Sequence, residues 1–286
     1  MRYETRDGVG LKSQVSCLKS PSLRTMDDLD IAVAAARAGG AIVRDGFDRG
    51  VTPQYKRQFD PVTETDHSSE AVVLSVIAEH RPNDAVLAEE SGGTIPDGRL
   101  WIVDPLDGTV NFVHGIPQIA VSVALWDGDR PLVGVIYDPL RDECFTAAAG
   151  QGAYLNQRPL SVSPVKNLDR SVIATGFPYD HGDYADEYSR VVGAVLASVN
   201  GIRRFGSAAL DLAWVAAGRY EAYWELGLAP WDQAAGILIV REAGGRVTDL
   251  DGTNSVPATP LVLASNGPVH DGLQRIIEPL LPDRLR

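Results

Sequence analysis

Most of the chemistry open to this chain sits in a few acidic stretches and one glycine-marked turn. The densest is Trp101-Ile102-Val103-Asp104-Pro105-Leu106-Asp107-Gly108-Thr109-Val110-Asn111-Phe112. An apolar run ends at Asp104, and Pro105, which has no N–H for a ladder, is expected to stop the strand there. Asp104 and Asp107 follow in a turn that can aim both carboxylates at one point. The Leu106 carbonyl between them offers a third oxygen. Gly108 lacks a side chain, so an anion can approach the amides of Gly108 and Thr109 at the start of a short helix or turn. Hard oxygen donors beside such amides suit Mg²⁺ and a phosphate group.

Glu89-Glu90 end the preceding apolar run. Consecutive strands commonly finish at the same sheet edge, which would bring Glu89 beside Asp104. Strand alternation would turn one of the two acids into the cleft and the other away. Asp232, in Pro230-Trp231-Asp232, begins a helix; it can cap that helix, bind a cation, or do both. Asp66, in Asp60-Pro61-Val62-Thr63-Glu64-Thr65-Asp66, can cap the second helix or accept a hydrogen bond from a catalytic hydroxyl. Lys56 and Arg57 read as solvated cations, or one of them attracts an anionic substrate. The histidines at 67, 80, 114, 181 and 270 show no ligand spacing, and His114 reads as a loop or core residue. HExxH, CxxC, GxSxG and GxxxxGK[ST] patterns are absent from the sequence.

The elements that must position these groups alternate in type. A helix begins near Asp27, with Leu29, Val33, Ala36, Val43 and Phe47 at helical spacing. A second runs from about Asp66 to His80, with Val73, Val76 and Ile77 inward, and ends before Pro82. Strands follow at 85–89, 100–103, 119–126, 132–137, 143–148 and 152–155. The second half reads as strand 171–175, helix 184–199, helix 207–217, strand 220–225, helix 232–243, strand 261–264 and helix 269–280. Such alternation implies layered α/β packing. A weak seam near 156–170 could divide two lobes, and residues 1–25 read as a disordered N-terminal extension before a catalytic domain at 26–286.

Composition bounds the rest. The 286 residues are 44% hydrophobic and 22% charged, an ordinary globular balance. Twenty-six basic against 38 acidic side chains give a net charge of −12, which argues against nucleic acid as a partner. A bound metal can still reverse the field locally for a small anion. Cys17 and Cys144 form no disulfide framework and fit a reducing compartment. No run is long and apolar enough for a membrane helix, so neither a membrane nor a secretory route is expected.

At the motifs quoted, the sequence resembles the inositol monophosphatase family, within the lithium-sensitive, metal-dependent sugar and inositol phosphatases. Asp60–Asp66, Glu89-Glu90-Ser91, Trp101–Asn111 and Trp231–Gly245 match in order, and the likeness runs from about 27 to 280. Gly206-Ser207-Ala208-Ala209-Leu210-Asp211-Leu212 is similar to the bacterial inositol-1-monophosphatase type. The resemblance implies an αβαβα sandwich, often a cytoplasmic homodimer, that uses two to three Mg²⁺ per site. Glu89, Asp104 and the Leu106 carbonyl would hold one ion, and Asp104, Asp107 and Asp232 another. A third would lean on Glu89. Gly108 and Thr109 amides would grip phosphate, and Thr109, hydrogen-bonded to Asp66, would orient the attacking water with help from Glu89. Gly206, Ser207, Ala208, Glu225 and Asp232 would contact the substrate.

The implied reaction is Mg²⁺-dependent hydrolysis of myo-inositol monophosphate, or a similar polyol or sugar monophosphate, by metal-activated water. Fructose-1,6-bisphosphatase, histidinol-phosphate phosphatase and adenosine 3′,5′-bisphosphate phosphatase are the enzymatic alternatives. A non-catalytic regulatory protein on the same scaffold is the other. Two departures concern the substrate: Ala229-Pro230 stand where animal members carry other residues, including a histidine, and Phe177 where some have serine.

Overall fold

The first helix, α1 (Asp28–Arg49), is fixed by Asp27, whose Oδ1 accepts the Asp30 amide at 2.8 Å. Small residues then let it lie close to its neighbours. A Cβ at Gly40 would sit 2.5 Å from the Tyr137 ring, and one at Gly39 2.7 Å from Val73 Cγ2. The second helix, α2 (Glu64–His80), starts two residues before the expected position. Thr63 is its N-cap, and the Asp66 carboxylate reaches back to the Thr63 amide at 2.9 Å. This computed structural model describes residues 26–178, 182, 185–257, 259 and 261–281. The expected extension at 1–25 lies outside them, as do Cys17 and His181.

Strands β1 (Gln54–Arg57) and β2 (Asp60–Val62) form a hairpin by themselves. Eight strands make the larger sheet: β3 (Ala85–Ala88), β4 (Gly92–Gly93), β5 (Arg99–Asp107), β6 (Ala120–Asp127), β7 (Arg130–Asp138), β8 (Glu143–Ala148), β9 (Ala153–Leu155) and β10 (Arg158–Pro159). Their order is β10-β9-β8-β7-β6-β5-β3-β4, antiparallel except for β3 beside β5. The chain then crosses to a second sheet of β11 (Val172–Thr175), β12 (Gly201–Arg203), β13 (Ala222–Leu226), β14 (Arg246–Thr248) and β15 (Leu261–Ser265), ordered β12-β11-β13-β15-β14. The short helix α3 (Thr109–Val113) follows β5. The remaining helices are α4 (Ala185–Leu196), α5 (Ala208–Ala216), α6 (Pro230–Glu242) and α7 (His270–Ile277).

Three apolar clusters define the layers. One joins α1 and α2 to a face of the larger sheet through Ile31, Val43, Val73, Trp101 and Val121. A second, with Trp126, Leu212, Tyr223, Ile237 and Val262, holds α5 and α6 between the two sheets. A third packs α4 and α7 on the outer face of the second sheet through Val191, Trp224, Leu263 and Leu273. The result is the αβαβα sandwich. In the middle layer α6 lies so near β7 that a Cβ on Gly134 would come 2.7 Å from the Ala235 carbonyl.

Two strand expectations change. β5 does not stop at Pro105 but runs to Asp107, because a register shift between Asp104 and Asp107 absorbs the missing donor as a bulge. The hairpin at 54–62 has no counterpart among the expected elements. All four residues of β1 are exposed, so burial writes no alternation into them. Among helices, the last ends at Ile277 and tightens into a 3₁₀ turn over Glu278–Leu280.

Candidate active site

The bulge in β5 is what arranges the first two acids. Asp104 Oδ1 accepts the Leu106 amide at 2.9 Å, closing the turn on itself. Asp107, at the strand's end, has its Oδ2 held by the Ser207 hydroxyl at 2.5 Å and the Ala209 amide at 2.9 Å. Ser207 also caps α5, so one hydroxyl ties the start of that helix to the carboxylate. Asp232 arrives on the first turn of α6, where its Oδ2 accepts the Ala229 amide at 2.7 Å. Thus it is both a helix-end acceptor and a site acid. Asp104, Asp107 and Asp232 each present a carboxylate oxygen, and the three oxygens lie within 4.8 Å of one another.

Glu89 stands beside them with a different partner. β3 and β5 run parallel with Ala88 opposite Val103, and the Glu89 amide donates to the Val103 carbonyl at 3.2 Å. Its carboxylate is outside the close trio: Lys56 Nζ lies 3.1 Å from Glu89 Oε1 and 2.6 Å from Glu90 Oε1. The expected alternation of Glu89 and Glu90 therefore fails. β3 ends at Ala88, and Glu70 of α2 accepts the amides of Glu90 at 2.8 Å and Ser91 at 2.9 Å, turning the chain. Lys56, which reads in sequence either as a solvated cation or as an attractor of an anionic substrate, is paired here with both acids. Nothing in QYKR marks it, whereas Arg57 does remain exposed.

Asp66 resolves its two readings by using both oxygens. Oδ2 serves Thr63, and Oδ1 accepts from the Thr109 hydroxyl at 3.0 Å. The single Thr109 proton is shared with the Leu106 carbonyl, 3.1 Å away. Gly108, just before α3, has φ +90°, a region that favours glycine, and a Cβ there would meet the Gln118 carbonyl at 2.8 Å. Asn111 secures the neighbourhood. Its Nδ2 donates to the carbonyls of Gln118 at 2.8 Å and Phe205 at 2.7 Å.

Above these groups opens a cavity of about 420 Å³. Asp107, Gly108 and Asp232 lie on its floor, and Gly206, Ala208 and Glu225 on its side. Ser207 is not part of this lining; it is buried and turned to Asp107. Glu225 receives the Tyr223 hydroxyl, and Gly176 makes room for it, since a Cβ there would fall 1.8 Å from Glu225 Oε2. Arg204, Phe177 and His114 complete the mouth. Sequence reading passes over Arg204 and leaves His114 as loop or core, though it is exposed on this rim.

The electrostatics follow from burial among like charges. Loss of water raises the Asp104 and Asp232 carboxyls well above the usual range; the charges of Glu89 and Asp107 add to both, Asp232 adds to Asp104 and Glu225 to Asp232. Burial pushes Asp107 up to about 6 against the hydrogen bonds from Ser207 and Ala209. It pushes Glu89 up to about 7 despite Lys56. Burial works against the Lys56 ammonium, but Glu89 and Glu90 hold its pKa above the ordinary lysine value. Glu225 rises to about 7, again chiefly by burial. Crowded oxygens of this kind could hold a metal ion, and they repel one another without one.

A model of the inositol monophosphatase family matches residues 25–281. Over 252 residues the chain is 44% identical to the inositol-1-monophosphatase of Synechocystis, covering 87% of this chain and 88% of that one. It is 43% identical over 263 residues to the Nus factor SuhB of Escherichia coli K12, covering 90% and 98%. The solved inositol monophosphatase of Anabaena superposes with a TM-score of 0.81 at 44% identity, covering 90% and 97%.

Proposed function

Since the chain belongs to the inositol monophosphatase family and is a phosphatase, we propose that it hydrolyses myo-inositol monophosphate, or a similar polyol or sugar monophosphate, with Mg²⁺. The observation that carries this reading is the meeting of Asp104, Asp107 and Asp232 oxygens within 4.8 Å, with Asp107 and Asp232 lining a cavity. Their donor set is all hard oxygen, and their mutual repulsion in a buried place fits a divalent cation. Asp104, Asp107 and Asp232 would hold it, with Glu89 and the Leu106 carbonyl as further ligands toward a second ion and a third. Bound Mg²⁺ supplies charge neutralisation, Lewis acidity toward phosphoryl oxygens and a lowered pKa for nearby water.

The chain's own groups do the rest. The Gly108 and Thr109 amides face an incoming phosphate where no side chain intervenes, and stabilise charge on its equatorial oxygens. The Asp66 carboxylate fixes the Thr109 hydroxyl, which would orient the attacking water, and Glu89 would take its proton. Glu225, held by Tyr223, accepts from polyol hydroxyls beside Gly206 and Ala208. Ser207 keeps Asp107 aimed from behind. Residues 26–286 work as one catalytic domain, which pairs as a cytoplasmic homodimer; among the described residues no helix is long and apolar enough to cross a membrane.

Phosphate release from inositol monophosphate, fructose 1,6-bisphosphate, histidinol phosphate and adenosine 3′,5′-bisphosphate, each with Mg²⁺ and with or without Li⁺, tests the reading. Inositol monophosphate should be fastest and Li⁺ inhibitory; preference for the nucleotide overturns the ranking. The relatives named Nus factor SuhB favour a second reading, a regulatory role on the same scaffold. Rescue of a deletion phenotype by Asp104→Asn, which removes hydrolysis, would separate the two.

A further inference from the structure

Asn111 is buried on α3, two residues beyond Thr109, and its side chain joins two parts of the fold. Nδ2 lies 2.8 Å from the Gln118 carbonyl, 2.7 Å from that of Phe205 and 3.2 Å from that of Gly206. All three neighbours are acceptors, so only the amide nitrogen can face them, and its two protons are spread over three oxygens. Gln118 precedes β6 of the larger sheet, whereas Phe205 and Gly206 form the turn between β12 of the second sheet and α5. Gly206 has φ +81°, and a Cβ there would sit 3.2 Å from Asn111 Nδ2, so glycine lets the amide come in close. The next residue is Ser207, whose hydroxyl, with the Ala209 amide, holds Asp107. Asp107 and Asn111 thus lie four residues apart and both reach the 205–209 segment, one by accepting and the other by donating. Asn266 uses the same chemistry elsewhere: its Nδ2 donates to the carbonyls of Ser163 at 3.0 Å and Val165 at 2.7 Å, tying that segment to the entry of α7.

We infer that Asn111 is a positioning residue: it fixes the 205–207 turn so that Ser207 and Ala209 meet Asp107, and through them it sets the aim of that carboxylate. The inference rests on the phosphatase reading of the cavity and adds to it a residue outside the cavity lining. Without the Asn111 amide the Phe205 and Gly206 carbonyls lose this donor, and the turn shifts to pair them with water. The Ser207 hydroxyl withdraws from Asp107 with it, and Gly206 and Ala208, which line the cavity, move too.

A double-mutant cycle with Ser207→Ala tests this, because a residue that acts through Ser207 cannot add to its loss. With Mg²⁺ and inositol monophosphate, Asn111→Ala should lower kcat/KM about thirtyfold and Ser207→Ala about tenfold. The double variant should fall about thirtyfold, where independent sites would give about three hundredfold. Mg²⁺ affinity read by calorimetry supplies the cycle without turnover: each single variant should weaken it about fivefold, and the two together no further. Asn266→Ala is the control; it should lower the melting temperature and leave the tenfold effect of Ser207→Ala intact. Should Asn111→Ala fail to fold, Asn111→Ser, which keeps one donor, takes its place, with smaller losses and the same non-additivity. Additive losses in either cycle, or an Asn111 variant with unchanged kcat/KM and Mg²⁺ affinity, would overturn the inference and leave the hydrolytic reading intact. A chain that cleaves no ester yet shows the non-additive Mg²⁺ cycle sinks the hydrolytic reading and leaves the role of Asn111 standing.

Discussion

Two buried polar groups in this molecule are built on opposite terms. In the second sheet, His270 at the start of α7 is fully enclosed, with Nδ1 2.8 Å from the Ser265 hydroxyl and Nε2 2.9 Å from that of Thr248. Every polar atom of the ring has a neutral partner, and the trio binds β14, β15 and α7 together. Asp104, Asp107 and Asp232 are also sequestered, but what each carboxylate meets on its inner side is another carboxylate. The first arrangement is complete within the protein. The second is completed only by something positive from outside, and that is how a structural cluster differs from a functional one.

The sharpest way to break the comparison is Asp104→Asn. The amide oxygen can still accept from Leu106, so the turn survives, while one cation ligand is lost. Phosphate release should fall by about three orders of magnitude, the scale of losing a central electrostatic group. The metal-free variant should melt no lower than the unmodified chain, since repulsion among the acids is relieved. Mg²⁺ should raise the melting temperature of the unmodified chain and scarcely move that of the variant. A large Mg²⁺ shift in Asp104→Asn would count against the site.

His270→Ala asks the same question of the other cluster. It leaves the buried Thr248 hydroxyl unpaired, costs Ser265 one of its two bonds and opens a cavity, so unfolding free energy should drop by about 3 kcal/mol in denaturant titrations. The kcat of the folded fraction should stay put. Ser207→Ala is milder. Asp107 keeps its bond from Ala209 but loses the hydroxyl, and kcat/KM should fall about tenfold, the equivalent of about 1.4 kcal/mol.

The smallest expected effect is in pH, because the two regions pull in opposite directions. Asp107 at about 6 and Glu89 at about 7 hold protons that the unfolded chain has already released. The metal-free protein therefore loses stability as pH rises from about 4 toward 7. His270 is held down to about 4 by burial, so the unfolded chain takes up its proton first. Its contribution is present above about 6.5 and is lost as pH falls toward 4. Mg²⁺ should abolish the decline on the rising side only. A metal-free profile that climbs steadily from pH 4 to 7 would contradict the raised carboxylates.

Much of this could be read from residue order, for physical reasons that also explain the gaps. The near-continuous apolar runs of β6 and β7, buried on both faces, and the helical spacing in α1 are written by the core, and the core writes strongly. Asp104, Asp107 and Asp232 are legible because proline, glycine and acid fall in a tight pattern around them. Lys56 is not, because its position depends on a hairpin whose β1 residues are all exposed. Neither is the route of β5 past Pro105, since a bulge is a property of the pair of strands and not of one. β12 and β14 are three residues each, too short for a period to show. Ser207 is legible as belonging near the substrate, but its actual partner, Asp107, stands 100 residues earlier.

The placement of Asp232 has a bearing on biogenesis. Asp104 and Asp107 are delivered by the larger sheet, whereas Asp232 comes on a helix wedged between both sheets and held there by residues from each. A nascent chain that has formed only its first half owns two of the three acids and no means of closing the ring. The three acids therefore come together only when the sandwich is whole.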